Sequence, residues 1–163
     1  MSPLAALRLD NTTVVLRRAT AQDLPRLVEL MAADQLGVDR DGIRTVEDLG
    51  RYRTAFDAID SDPAHLLVVA EADSEVAGTL QLSFLPGLAR RGSLRGQIEA
   101  VRVHTGLRGL GLGTAMLTWA IEEARRRGCT LVQLTTDKSR GDAHRLYERL
   151  GFVSSHVGMK LRL

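Results

Sequence analysis

The 163-residue chain holds a single cysteine, Cys129, which excludes an internal disulfide and a cysteine-based zinc site. Cys129 precedes an apolar stretch (Leu131, Val132), so it reads as a buried, inert thiol rather than a nucleophile. Aromatic residues make up only 4%, too few for the stacking platforms that grip single-stranded nucleic acid. No apolar run approaches the roughly 20 residues of a membrane span. The N-terminus lacks the basic, apolar and small-residue order of a signal peptide, so the expected compartment is the cytoplasm. No charge of one sign dominates: the net charge of +2 is too mild to point to DNA or RNA. Arg90, Arg91 and Arg95 read as solvated loop charge. Arg125, Arg126 and Arg127 read as cations complementing the end of a helix before Gly128.

What is present is the balance of a globular domain, 44% hydrophobic and 26% charged, in a chain long enough for one real core over residues 1–163. Residues 1–10 read as a loose lead-in, and Thr13 to Arg18 as a first strand. A helix follows, with Leu24, Leu27, Val28 and Met31 on one face and Gly37 as its stop. Thr20 or Asp23 can cap it, and Pro25 favours Asp23 because proline is tolerated only in the first turn. A second helix opens at Thr45-Val46-Glu47-Asp48 like a capping box and carries Leu49, Tyr52, Phe56 and Ile59. Strands are expected at Leu66–Ala70, Val76–Leu85 and Ile98–Val103, then a helix from about Leu110 to Arg127 with Leu112, Met116, Leu117, Ala120, Ile121 and Ala124 inward. A strand at Leu131–Thr136 leads to a short helix that opens at Ser139 with a capping-box-like start and ends at Gly151. Phe152–Ser154 and Gly158–Leu163 are expected to close the sheet. The predicted order, β-α-α-β-β-β-α-β-α-β-β, belongs to an α/β domain.

The most informative stretch runs from Val101 to Leu117. An apolar strand (Val101, Val103) leads through His104 and Arg108 into Gly109-Leu110-Gly111-Leu112-Gly113-Thr114, which opens a helix. Glycines at every second position leave the N–H groups of a helix N-terminus uncovered, where the helix dipole also favours a pyrophosphate. A Walker A loop would need Lys and then Ser or Thr after its last glycine. A dinucleotide fingerprint would need two residues between its second and third glycines. Neither spacing occurs here, and the alternative of a merely flexible glycine loop stays open on the glycines alone.

What remains is Arg-x-x-Gly-x-Gly at Arg108, Gly111 and Gly113 after a Val-x-Val strand. That pattern resembles the acetyl-CoA loop of the GCN5-related N-acetyltransferases (GNAT). A second motif, Asp142 to Phe152, is similar to the family's Ala-x-x-Leu-Tyr-x-x-x-Gly-Phe helix. The resemblance implies an α/β fold with a mixed, mostly antiparallel sheet whose middle strands splay, so that the pantetheine arm pairs with main-chain groups of Val101 and Val103. It implies acetyl-CoA as co-substrate and no metal. It also implies a cofactor site drawn from Val101, Arg102, Val103, Arg108, Gly109, Leu110, Gly111, Leu112, Gly113, Thr114, Thr135 and Tyr147. Relatives commonly carry Asn where this chain has Arg140, so that asparagine's role is not carried over.

Acetyl transfer to an amine requires a neutral nucleophile, a donor for the developing oxyanion and a proton for the departing thiolate. The resemblance assigns the last task to Tyr147, since a free phenol ionises near ~10, close to an aliphatic thiol. Glu99 interrupts an apolar strand and, by simple alternation, shares a face with Val101 and Val103. It is the first candidate for a base working through water, with an ion pair to Arg102 as its structural alternative. His104 is the other candidate base. Asp34, Asp39, Asp41 and Asp57 could attract an ammonium group, whereas Arg90 and Arg91 would suit an acidic acceptor. The expected partner is a small-molecule amine, with no nucleic acid or membrane. A protein or peptide acceptor, a non-catalytic acyl-CoA sensor, a generic nucleotide-phosphate binder and a homodimer built on the closing strands are the alternatives.

Overall fold

The computed structural model describes residues 3–9, 12–34, 37 and 40–161. Six strands form one sheet in the order of the chain: β1 (Ala5–Leu9), β2 (Thr12–Arg18), β3 (His65–Ala72), β4 (Glu75–Pro86), β5 (Leu94–Val103) and β6 (Leu131–Leu134). β1 to β5 are an antiparallel meander, and β6 joins β5 in parallel. The mixed, mostly antiparallel α/β sheet expected from the sequence is present. The helices are α1 (Leu24–Ala32), α2 (Val46–Ser61), the single turn α3 (Ala89–Gly92), α4 (Leu112–Arg126) and α5 (Gly141–Arg149).

Period-2 alternation along β3 and β4 divides the core between the two faces of the sheet. Leu66, Val68, Leu80, Leu82 and Ile98 pack against Leu112, Met116, Leu117 and Ala120 of α4, with Leu146 and Tyr147 of α5 and Leu150 at its C-cap partly buried beside them. Leu67, Val69 and Val76 face Leu24, Leu27 and Leu30 of α1 and Phe56 of α2. Each fully buried Leu or Ile contributes about 1.5–3 kcal/mol relative to an exposed one. Of the inward stripe expected on the helix after the glycine loop, all members are buried except Ile121, which is half-buried. On α2 only Phe56 is buried, and Leu49 stays 40% exposed.

The sequence expectations need four corrections. The N-terminal lead-in is a strand: Ala5, Leu7 and Leu9 alternate with exposed residues and β1 pairs with β2. Among the described residues the two closing strands do not form: residues 152–161 carry no helix or strand, leaving Val153, Val157, Met159 and Leu161 more than 80% exposed. Ser139 does not cap α5. Its N–H and hydroxyl both donate to Asp137, and Arg140 stands at the N-cap without a capping side chain. Finally β6 stops at Leu134, short of Thr135. The observed order is therefore β-β-α-α-β-β-α-β-α-β-α.

Both N-cap candidates for α1 are used. Thr20 caps a 3₁₀ turn (Ala21–Asp23), and Asp23 is the N-cap of α1 with Pro25 in the first turn. The Asp23 carboxylate accepts from the Thr20 N–H (2.7 Å) and hydroxyl (2.9 Å) and forms a two-pronged pair with Arg17 (2.8 and 2.9 Å). Arg17 donates its third N–H to Glu71 of β3 at 2.8 Å. One network thus joins β2, β3 and α1. At its other end α1 stops at Ala32 with Ala33 as C-cap, short of the Gly37 expected to stop it; a Cβ at Gly37 would collide with the Met31 carbonyl oxygen, so no larger residue fits there.

Burial alone would raise the pKa of Asp23, but hydrogen bonds from Arg17 and Thr20 outweigh it and hold the carboxyl below the usual carboxylate range. A depressed folded-state pKa contributes stability above the unfolded value of about 3.9, and that contribution is lost as pH falls through the folded value. Asp23→Asn is expected to lower unfolding free energy at pH 7 by about 2 kcal/mol. Urea unfolding across pH 2–6 should show a shallower acid loss in the variant than in the wild type; parallel curves would contradict this account.

Candidate active site

The site is built around an irregularity in β5. Thr79 of β4 faces Arg102 and Gln81 faces Glu99, so Leu80 alone opposes two residues, Ala100 and Val101. This is a β-bulge, and Ala100 takes φ +51° within it. A left-handed conformation costs a non-glycine residue about 1–2 kcal/mol. The bulge also resets alternation. Val103 lies opposite Gly78 on the α4 face, while Arg102 and Glu99 lie with Thr79 and Gln81 on the α1–α2 face. Glu99 therefore does not share a face with Val101 and Val103 as simple alternation predicts. It is exposed, and it makes no ion pair with Arg102 or with any other described residue.

The parallel pairing of β5 with β6 ends at Ile98–Leu134, whereas β5 follows β4 as far as Val103. The middle strands splay there. The His104 N–H donates to Ala77 on the β4 side, so alternation turns the main-chain groups of Val101 and Val103 to the open edge. Their carbonyls accept from guanidiniums, Val101 from Arg102 (2.8 Å) and Val103 from Arg108 (3.2 Å).

Beyond β5 a 3₁₀ turn (Thr105–Leu107) leads into the glycine loop. Gly109 and Gly111 have φ +80° and +85°, values that favour glycine. Gly111 is the N-cap of α4 and brings no side-chain acceptor, so the first N–H groups of this 15-residue helix have no capping side chain. Leu112 is buried and anchors the loop, while Leu110 and Thr114 are exposed and Gly113 lies 3.7 Å (from an ideal Cβ) from Val103. The surroundings thus fit a pyrophosphate: free donors, a positive dipole end and Arg108 adjacent.

Tyr147 lies half-buried on α5, edge-on to Phe152 (centroids 6.0 Å apart, 69°). Its hydroxyl has no hydrogen-bond partner among the described residues. Burial pushes its pKa above that of a free phenol, against the opposing influence of Arg140 and Arg102. Thr135 is exposed just past the end of β6, at the mouth of the splay.

The other candidates separate clearly. The His104 ring accepts from the Gly106 N–H at 3.4 Å within its own turn. Asp41 pairs with Arg40, Asp57 is exposed on α2, and Asp39 lies outside the described residues. Arg90 and Arg91 are exposed at the β4–β5 turn. Cys129 is half-buried, and its thiol pKa is pushed up by burial against the pull of Arg127. A cavity of about 150 Å³ lies between α1 (Arg26, Glu29, Leu30) and the end of β5 (Val103, His104).

One role went unread in the sequence: Asp34, at the end of α1, is ion-paired with both Arg140 and Arg102. The available signal was Arg102 itself, a cation between two inward valines that has to find a partner. Among the described residues no cluster of three His, Cys, Asp or Glu side chains could hold a metal ion, and no helix is long and apolar enough to cross a membrane.

The family model for the acetyltransferase (GNAT) family matches residues 27–152. The aminoalkylphosphonate N-acetyltransferase of Salmonella typhimurium is 32% identical over 141 residues, 86% of each chain. Among solved structures, a transcriptional regulator from Bacillus halodurans superposes with a TM-score of 0.87 at 45% identity, over 92% of this chain and 99% of that one. A predicted acetyltransferase from Clostridium acetobutylicum, solved with acetyl-CoA, shares the fold at TM-score 0.72 and 20% identity, over 91% and 96% of the two chains. With a glycine loop at a helix N-terminus, a splayed sheet and a family match over most of its length, this chain belongs to the GNAT family of acetyltransferases.

Proposed function

We propose that the protein transfers the acetyl group of acetyl-CoA directly to the primary amine of a small molecule. The observation that carries this reading is the edge of β5 beyond Ile98, which β6 leaves open and which leads into the glycine loop. Acetyl-CoA supplies an activated thioester when bound. Its pyrophosphate would meet the N–H groups of Gly109 to Thr114 with Arg108 beside them, and its pantetheine arm the main chain of Val101, Arg102 and Val103, near Thr135. A free N–H on that edge is suited to the negative charge that develops on the thioester oxygen. The Salmonella relative, named for aminoalkylphosphonates, favours a small acceptor over a protein one.

A lysine-like amine has a pKa near ~10.4, so freeing it at pH 7 costs about 4–5 kcal/mol. Glu99 would accept that proton, through water, from the α1–α2 side of the strand. Tyr147 would return a proton to the departing thiolate from the α5 side; its raised pKa keeps the phenol protonated at neutral pH. A base and an acid acting from different sides of β5 would keep the two proton transfers apart.

We also infer a homodimer. Among the described residues β6 is the last strand of the sheet and no strand pairs with its outer edge, while Val157, Met159 and Leu161, at every second position of a segment without helix or strand, are 83–94% exposed. A second copy's segment laid along β6 would cover both.

The first test is CoA release from acetyl-CoA across a panel of small amines and short peptides. Amine-dependent release is expected, and release that no amine stimulates would overturn the reading. Tyr147→Phe should lower kcat about 100-fold while changing the Kd for acetyl-CoA less than about twofold. Glu99→Gln should lower kcat/KM about tenfold at pH 7, with a deficit that narrows as pH rises and the free amine becomes abundant. A deficit constant with pH would remove Glu99 from the base role. Sedimentation at micromolar concentration should give a dimer that Met159→Asp dissociates; a wild-type monomer would refute the tail pairing.

A further inference from the structure

Arg102 projects from β5 to the α1–α2 face, and its side chain is only 15% exposed. One terminal nitrogen donates to the Val101 carbonyl, and the other lies 3.6 Å from Asp34, too far for a hydrogen bond. The Nε–H is buried with no partner among the described residues. Arg140, at the start of α5, grips the same Asp34 oxygen. Arg40 and Asp41, which pair with each other, are the remaining charges that act on Arg102. Among the described residues Asp34 thus stands as the one carboxylate ion-paired with both Arg102 and Arg140, and one buried donor is unused.

A buried guanidinium with a free Nε–H offers the planar fork that matches an oxyanion. Asp34 fills that place badly: it meets Arg140 closely and Arg102 at a distance, and it carries one charge where two cations converge. An acceptor with a carboxylate would only exchange one monoanion for another. A tetrahedral phosphoryl group, with a charge of about −1.5 to −2 at pH 7, would satisfy the Nε–H and match the two cations that now share one carboxylate. We propose that Arg102 and Arg140 hold a phosphonate or phosphate group of the amine acceptor, and that Asp34 occupies this seat in the free protein. Arg102 stands on the strand whose open edge borders the proposed pantetheine arm, and both guanidiniums oppose the burial-driven rise of the Tyr147 pKa. The inference rests on the acetyl-transfer reading for its acceptor but not for its anion seat.

Binding and turnover therefore test different things. Ethylphosphonate, which has no amine, is titrated calorimetrically into the CoA-bound full-length protein, with propionate in parallel. Ethylphosphonate should bind at least about tenfold more tightly than propionate. Arg140→Gln should weaken it about tenfold, whereas Asp34→Asn, which removes the resident charge, should tighten it severalfold. A salt bridge with a purely structural role would not produce opposite shifts in the two variants. Equal binding of the two anions, or no tightening by Asp34→Asn in a folded variant, would overturn the proposal. Turnover is then compared for 2-aminoethylphosphonate, O-phosphoethanolamine, β-alanine and propylamine. The two phosphoryl amines should lead in kcat/KM, and whichever leads identifies the source of the group. If propylamine is acetylated equally well, the anion seat falls while acetyl transfer stands. If no amine is acetylated, acetyl transfer falls and the ethylphosphonate titration alone decides the seat.

Discussion

β5 and β6 can stay paired only as far as Ile98 and Leu134, because the chain of β5 then spends an extra residue on the bulge at Ala100. A bulge bends its strand and increases the local twist. Here the bend follows β4 and leaves β6 behind. Two consequences follow from the same residue. The edge of β5 keeps main-chain groups that no neighbouring strand pairs in the middle of a sheet, two of their carbonyls accepting from guanidiniums instead. The alternation also reverses, so that Arg102 and Glu99 emerge on the α1–α2 side while Val101 and Val103 remain packed toward α4. A regular strand would have buried the valines and hidden the edge together.

The strain at Ala100 is modest beside what holds it. On one side of the bulge Ile98 is in the core; on the other, Gly78 lies so close to β5 that a Cβ there would stand 2.9 Å from the Arg102 carbonyl oxygen and 3.1 Å from the Met116 sulfur. Tight packing on both sides fixes the register, and a shift of one residue would carry Arg102 into the α4 core. Local strain of this kind persists when the surroundings over-determine it.

Much of this was legible in the residues. The glycine loop, the helix that follows it and the Tyr147 helix are local features, and their residues carry the relevant geometry in their own chemistry: glycine for positive φ, a period near 3.6 for the inward stripe of α4. The bulge was not legible, because Ala100 is not glycine and nothing in Glu99-Ala100-Val101-Arg102 breaks a strand pattern. Period-2 counting therefore put Glu99 on the wrong face. The closing segment misled for a different reason. Its alternation is that of a strand, but alternation specifies a face and not a partner, and among the described residues no strand pairs with it. Asp34 was visible only as one acid among several; its selection depends on where α1 ends in space.

That position is set far from the site. α1 has nine residues and is about 13 Å long, with the Asp23–Arg17–Glu71 network at one end and Asp34 just beyond the other. A rigid rod of that length converts a tilt of about 10° at its anchored end into a displacement of about 2 Å at Asp34, enough to break a hydrogen bond to Arg140. The apolar face of α1 resists sliding, through Leu24, Leu27 and Leu30 against Val69 and Val76, but apolar contact is non-directional and tolerates rotation. The ion-pair network supplies the direction. Its three donors on Arg17 and two from Thr20 fix the orientation of the first turn. The charge balance around Arg102 therefore depends on a carboxylate at the opposite end of a helix.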